Sequence, residues 1–375
     1  MTRRGGNIRV LVIDDSQTAR ELLVAILQTS EGIQVIGSGV NGVDAVRLTK
    51  RMRPDVILMD INMPKLDGLE ATREIMSEIP TPIVLITGTL MLSDMDLSFK
   101  ALQAGALTVI PKPGLSDPEA CDLVVEKVRA MADVPIVRRW RRDKQGRAQP
   151  AAPKAPVWTP PVSSAKQLPR PHVPSALSRS ELTRPFRLIG IGASTGGPGA
   201  LATILRPLPA EFPVPILIVQ HVTPGFAIGL AEWIDSETAI RVRLAAHGMR
   251  PEPGSALIAP DAYHMQVNFR GLIELNKEPA YKGLRPSVNY LFDSMARTCG
   301  PRALGILMTG MGDDGADGLK TLHDEGGLTI AQDEATSIVY GMPREAVIRG
   351  GVSAILSLDE IAHTLSYLTD GAGGT

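Results

Sequence analysis

The chain has 375 residues, 44% of them hydrophobic, a formal net charge of −1 and two cysteines, Cys121 and Cys299. That length exceeds one ordinary domain and points to two, each with enough apolar residues for a core. The balanced charge gives no global reason to expect nucleic-acid binding, and two distant cysteines exclude a disulfide framework and fit a reducing compartment.

The basic start "MTRRGGNIRVLVIDD" contains only the short apolar run "VLVI", a core strand rather than a signal-peptide core. No apolar run approaches the length of a membrane helix, so the expectation is a cytoplasmic protein without membrane insertion. "IRVLVID", "IQVIGSG", "DVILMD", "PIVLIT" and "LTVIP" then read as strands alternating with helical stretches, the pattern of a doubly wound parallel sheet. Asp14 and Asp15 end the first of these, Asp60 the third, Thr87 the fourth and Lys112 the fifth. In such a sheet the strand ends meet at one edge, beside the crevice where ligands bind. Three carboxylates gathered there repel one another unless a cation sits among them, and an all-oxygen set suits Mg²⁺. A hydroxyl and an ammonium at the same edge can hold phosphate oxygens.

Composition changes near Asp133. From Asp133 to Pro185 there are ten prolines, and eleven Lys and Arg against three Asp and Glu. The span is expected to be an extended basic linker, a solvated tether rather than a dedicated polyanion site.

The α/β pattern resumes with "FRLIGIG", "VPILIVQ", "ALIAP" and "ALGILMTG". Ser194 follows the first of these, His221 the second, and Asp313 and Asp314 the last. Serine, histidine and carboxylate gathered at one sheet edge are the parts of an activated nucleophile. Each has a plainer reading as well: Ser194 as a helix N-cap, His221 as a structural imidazole, the aspartates as turn residues. Their coincidence at three strand ends favours the triad, without choosing between Asp313 and Asp314. His264, in "IAPDAYHMQV", is a second-rank candidate. His323 falls in an expected helix, His363 in a terminal helix and His172 in the linker. Gly310, Gly312 and Gly315 would let the backbone near Met311 turn its N–H groups toward developing charge. The glycines of "IGIGASTGGPGA" (189–200) fit no dinucleotide fingerprint, since Thr195 stands where its third glycine belongs, and no phosphate-loop motif occurs.

Two resemblances add to this. "VIDDS", "LMDINMPKLDG", "LITGT" and "IPKP" resemble the motifs of the response-regulator receiver family. They imply a flavodoxin-like receiver over residues 1–132 in which Asp60 accepts a phosphoryl group from a histidine kinase of the CheA type. They also imply that Asp14, Asp15 and Asp60 bind Mg²⁺ and that Thr87 and Lys112 sense the phosphoryl group. One departure is Val109, where many receivers carry Tyr or Phe. "IGASTGG", "QHVTPGF", "IAPDAYHM", "RPSVNYLF", "LMTGMGDDGADG" and "AQDEATSIVYGMPREA" resemble the CheB protein-glutamate methylesterase family. The resemblance implies a mostly parallel α/β catalytic domain over 186–375, after a linker over 133–185. It makes Ser194 the nucleophile, His221 the base, Asp314 the orienting acid and the Met311 N–H an oxyanion donor. The implied reaction, which takes no cofactor, is hydrolysis of glutamyl methyl esters on methyl-accepting chemotaxis receptors, with deamidation of receptor glutamines and activation by phosphorylation. The expected enzyme is a monomer. The rival of another class is an adaptor whose hydrolase domain only binds.

Overall fold

The structure, a computed structural model, describes residues 7–88, 106, 108–114, 117–132, 177–223 and 225–370. Most of the expected linker, with His172, lies outside these residues. Among the described residues no helix is long and apolar enough to cross a membrane.

The first domain is built on β1 (Ile8–Ile13), β2 (Ile33–Gly39), β3 (Val56–Asp60), β4 (Ile83–Thr87) and β5 (Thr108–Pro111). They pair in parallel in the order β2-β1-β3-β4-β5. Strands buried on both faces are expected to read as continuous apolar runs, and β3, β4 and most of β1 do, whereas the edge strand β2 is half-exposed. Leu11, Ile13, Ile57 and Met59 pack on one face, and Val10, Val12, Val56 and Leu58 on the other. Helices α1 (Gln17–Gln28), α2 (Gly42–Met52), α3 (Gly68–Glu78) and α4 (Pro118–Ala132) cover the sheet. Ser16, Asn41 and Asp67 cap the first three with their side-chain oxygens.

The expected linker ends in structure. A four-residue helix, α5 (Arg179–Leu182), follows Leu177, and Leu177, Leu182 and Phe186 pack on the core of the second domain. The expectation of an extended tether through Pro185 differs here, because these apolar residues sit among prolines and arginines that masked them.

The second domain has a seven-stranded parallel sheet in the order β14-β13-β12-β6-β7-β9-β8. Its strands are β6 (Leu188–Ala193), β7 (Ile216–Gln220), β8 (Arg241–Leu244), β9 (Ser255–Ile258), β12 (Ala303–Leu307), β13 (Leu328–Gln332) and β14 (Ala354–Leu356). β10 (His264–Val267) and β11 (Ile273–Asn276) form a separate antiparallel hairpin. The helices are α6 (Gly197–Leu205), α7 (Ala227–Glu237), α8 (Val288–Thr298), α9 (Ala316–Asp324), α10 (Met342–Ile348) and α11 (Leu358–Asp370). The chain enters at β6, builds one side through β7, and returns to the other side of β6 with β12. This reversal is the topological switch point at which doubly wound sheets open a crevice.

β6 has an asymmetric section. Ile189, Ile191 and Ala193 fill one face. On the other, Gly190 and Gly192 make room for α8: a Cβ at 190 would lie 2.4 Å from Met295 Sδ, and one at 192 would lie 2.3 Å from Val288 Cγ1. These two glycines therefore serve close helix–strand packing. The bend comes later, at Gly196 with φ +80°.

Candidate active site

Ser194 leaves the end of β6, and its backbone is held from three sides. Its N–H donates to Thr309 O at 3.0 Å, while its carbonyl accepts from Gly197 N at 2.8 Å and from Gln220 Nε2 at 2.8 Å. The cap of α6 is Gly196 in the left-handed region, with no side-chain cap bond. The N-cap reading of Ser194 is thus excluded, and its hydroxyl is not spent on the helix. Gly197 is required by the same packing, since a Cβ there would lie 1.9 Å from Gln220 Oε1.

His221 follows β7, its N–H bonded to Ala193 O at 3.0 Å. Its Nε2 lies 2.9 Å from Asp314 Oδ2. Asp314 is 1% exposed and surrounded by donors: Ser287 Oγ to Oδ1 at 2.6 Å, Val288 N to Oδ2 at 2.7 Å and Asn289 N to Oδ1 at 3.3 Å. The last two N–H groups open α8, where the helix dipole favours an anion. Burial alone would raise the pKa of Asp314. His221, the Ser287 hydroxyl and the Val288 N–H outweigh it and hold the carboxyl below the usual range.

Asp313 points away. Lys282 Nζ at 2.5 Å and Arg349 Nη2 at 2.7 Å bind its Oδ2, and the Lys282 bond leads in lowering its pKa. The structure therefore separates two aspartates that strand-end position alone left equivalent, and sets Asp314, the one the resemblance implied, against His221. Both stand in a loop, because β12 ends at Leu307 rather than continuing through "MTG".

That loop is fastened beneath Ser194. Thr309 N donates to the buried Gln332 Oε1 at 2.8 Å, and its Oγ1 donates to Thr195 O at 2.9 Å. A Cβ at Gly310 would lie 2.2 Å from Met342 Sδ and 2.8 Å from Ser194 Cβ. Gly312 and Gly315 adopt φ of +86° and +89°. Met311 lines the same cleft as Ser194, His221 and Asp314, a space of about 710 Å³.

His264 is fully buried and lies one step behind the site. Its Nδ1 accepts from Ser287 N at 3.2 Å, its Nε2 donates to Pro279 O at 3.2 Å, and its ring stacks on Tyr290 at 3.7 Å. Burial, its largest influence, lowers its pKa. It orders the residue that orders Asp314. Ser287, Gln220 and Gln332 escaped the sequence reading, although each is a polar residue beside or within an apolar run.

The receiver-like domain borders the cleft. Thr108, Val109, Ile110, Leu123, Glu126 and Lys127 line it opposite Ser194. Ile338 and Val339, in the loop above Gly196, pack on the apolar layer of the first domain. At that domain's own strand edge, oxygens of Asp14, Asp15 and Asp60 lie within 4.8 Å of one another. Lys112 Nζ contacts Asp14 Oδ2 at 2.9 Å and Asp60 Oδ2 at 3.1 Å. Burial raises the pKa of Asp60, with Lys112 opposing it. Burial works against the charge of Lys112 too, but the two carboxylates more than offset it and raise its pKa. Thr87 is buried at the end of β4, and its carbonyl accepts from Lys112 N at 2.8 Å.

The family model described as CheB methylesterase matches residues 189–365, and that described as response regulator receiver domain matches residues 10–121. Protein-glutamate methylesterase/protein-glutamine glutaminase 1 of Syntrophus aciditrophicus (strain SB) is 42% identical over 96% of this chain and 98% of its own length. Protein 4 of the same description from Myxococcus xanthus (strain DK1622) is 42% identical over 98% of each chain. The counterpart from Nitrosospira multiformis is 41% identical over 98% of this chain and 99% of its own.

Proposed function

The chain belongs to the CheB family of protein-glutamate methylesterase/protein-glutamine glutaminases, and from this premise we propose that Ser194, His221 and Asp314 hydrolyse glutamyl methyl esters of chemoreceptors. Ser194 Oγ attacks the ester carbonyl. His221 takes the hydroxyl proton on Nδ1, because Nε2 is engaged with Asp314. Asp314 fixes the ring and stabilises the imidazolium. The Met311 N–H donates to the developing oxyanion, aided by the dipole of α6. His221 returns the proton to methoxide, methanol leaves, and water repeats the sequence on the acyl-enzyme. A receptor glutamine enters the same path with ammonia as leaving group. The single observation that carries this reading is the buried, donor-ringed Asp314 on His221.

The receiver domain gates the reaction. Asp60 accepts the phosphoryl group of a histidine kinase of the CheA type, and Thr87 and Lys112 contact it. The donor set of Asp14, Asp15 and Asp60 is all oxygen and fits Mg²⁺, which when bound would offset the charge of the phosphoryl oxygens. Before phosphorylation the β5–α4 face covers the cleft, and phosphorylation loosens it. The receiver residues along the cleft support this. We assign the activity to a cytoplasmic monomer.

The test is methanol release from methylated receptor, with and without phosphodonor. Faster release with phosphodonor, and none from Ser194→Ala, is expected. Retained turnover in Ser194→Ala would remove Ser194 from its role. Equal rates with Asp60 shown to be phosphorylated would end the gating model.

A further inference from the structure

At the far end of the catalytic sheet from Ser194, a second hollow of about 250 Å³ opens beside the start of β6. Six residues of strand separate the two ends, about 20 Å. The lining holds Arg187, Arg250 and four prolines, and no Asp, Glu or Lys. Both guanidinium groups reach one small residue in the β10–β11 turn: a Cβ on Gly271 would lie 2.7 Å from Arg187 Nη2 and 3.7 Å from Arg250 Nη1. Gly271 has φ +73°, so the turn and the space beside it both favour glycine.

The polar groups here are donors without counter-charge. Among the described residues the arginines in ion pairs are Arg47, Arg206 and Arg349, and neither Arg187 nor Arg250 is among them. Asn268 Oδ1 already accepts from Arg270 N at 3.0 Å and Leu272 N at 3.1 Å, which leaves its NH₂ as the remaining function. Acid is not scarce: outside residues 133–185 the chain has nine more Asp and Glu than Lys and Arg. None of them lines this hollow.

We propose that the hollow is an oxyanion site, in which Arg187 and Arg250 hold the phosphate or carboxylate group of a small ligand. Guanidinium forks match the paired oxygens of both groups. The rigid proline walls admit a ligand with a short apolar body beside the charge. The site is independent of the triad and of the phosphoacceptor, which both lie at C-terminal strand edges.

Calorimetric titration of the full chain tests this, with inorganic phosphate and succinate as separate probes in magnesium-free chloride buffer. An Asp60→Asn background keeps the receiver's acidic edge out of the signal. Saturable binding with Kd near or below about 1 mM is expected for at least one probe, and which probe binds assigns the ligand chemistry. Arg187→Gln and Arg250→Gln should each weaken it at least about tenfold, a loss of about 1.4 kcal/mol. Both positions are exposed, so the variants should melt like the parent, which separates lost binding from lost folding. No saturable binding by either probe, or equal binding in both variants, overturns the proposal.

Discussion

His221 presents Nε2, not Nδ1, to Asp314, at 2.9 Å. The ring nitrogen that faces the acid is therefore the one farther from the backbone, and in the proposed mechanism Nδ1 serves Ser194. Asp314→Asn would leave the ring without its negative partner and unsettle its tautomer. Methanol release should then fall by about 10³–10⁴-fold in kcat with KM little changed. Asp313→Asn should stay within a few fold, because that residue answers to Lys282 and Arg349 at a partly exposed site. The paired measurement distinguishes neighbours that strand-end position alone cannot.

Gly310→Ala tests the floor of the site. The new methyl would meet Met342 Sδ at 2.2 Å and Ser194 Cβ at 2.8 Å. Overpacking of this kind costs about 1–3 kcal/mol. The domain should still fold, with a lower melting temperature, while esterase turnover drops far more than stability does. Thermal melting and kcat on one preparation check this.

The imidazole of His264 is poised for a pH effect on stability. Burial depresses its pKa below the ordinary value of 6.5. The unfolded chain therefore takes up this proton first as pH falls. The contribution of His264 is complete above about pH 6.5, and declines below it until the folded-state pKa is reached. Protonation would also set an Nδ1–H against the Ser287 N–H that it now accepts. Arg285 opposes that charge, whereas Asp314 and Glu278 favour it. Denaturant melts from pH 7.5 to 5 should show this slope in the parent and a weaker one in His264→Gln.

Leu123 probes the cover. It lies along α4, packs on the apolar layer that also receives Ile338 and Val339, and lines the cleft. Leu123→Asp should place a charge in that contact and raise esterase activity without phosphodonor toward the phosphorylated rate. Rates equal to the parent, in a protein whose Asp60 is still phosphorylated, would separate the contact from the gating.

Much of this organisation was legible in the chain. β1, β3, β4, β6 and β7 are buried on both faces and announce themselves as apolar runs, so the polar residues at their ends stand out. β8 was not legible, because "RVRL" alternates charge at the sheet edge, and β14 has only three residues. β10 and β11 lie outside the main sheet, and short polar hairpin strands resemble loops. Ser287 was hidden, and His264 only a second-rank candidate, for a different reason. Their roles exist only because Ser287 meets Asp314 across 27 residues of sequence and His264 meets Ser287 across 23. No local pattern encodes such a meeting.

Val288 has a wider consequence. Its Cγ1 would lie 2.3 Å from a Cβ at Gly192 and 2.6 Å from one at Gly315. One side chain is thus keyed into the strand of the nucleophile and into the turn after the acid, while its N–H holds that acid. With Leu307 Cδ1 beside it, this side chain fills the space that a Cβ at either glycine would need, so the strand before Ser194 and the turn after Asp314 pack against a shared pair of side chains. A side chain added at 192 or 315 would need a smaller residue at 288 to make room for it. Diversification of substrate range has its free ground elsewhere, in the cleft wall around Lys282 and Leu284, where a replaced side chain leaves this key unturned.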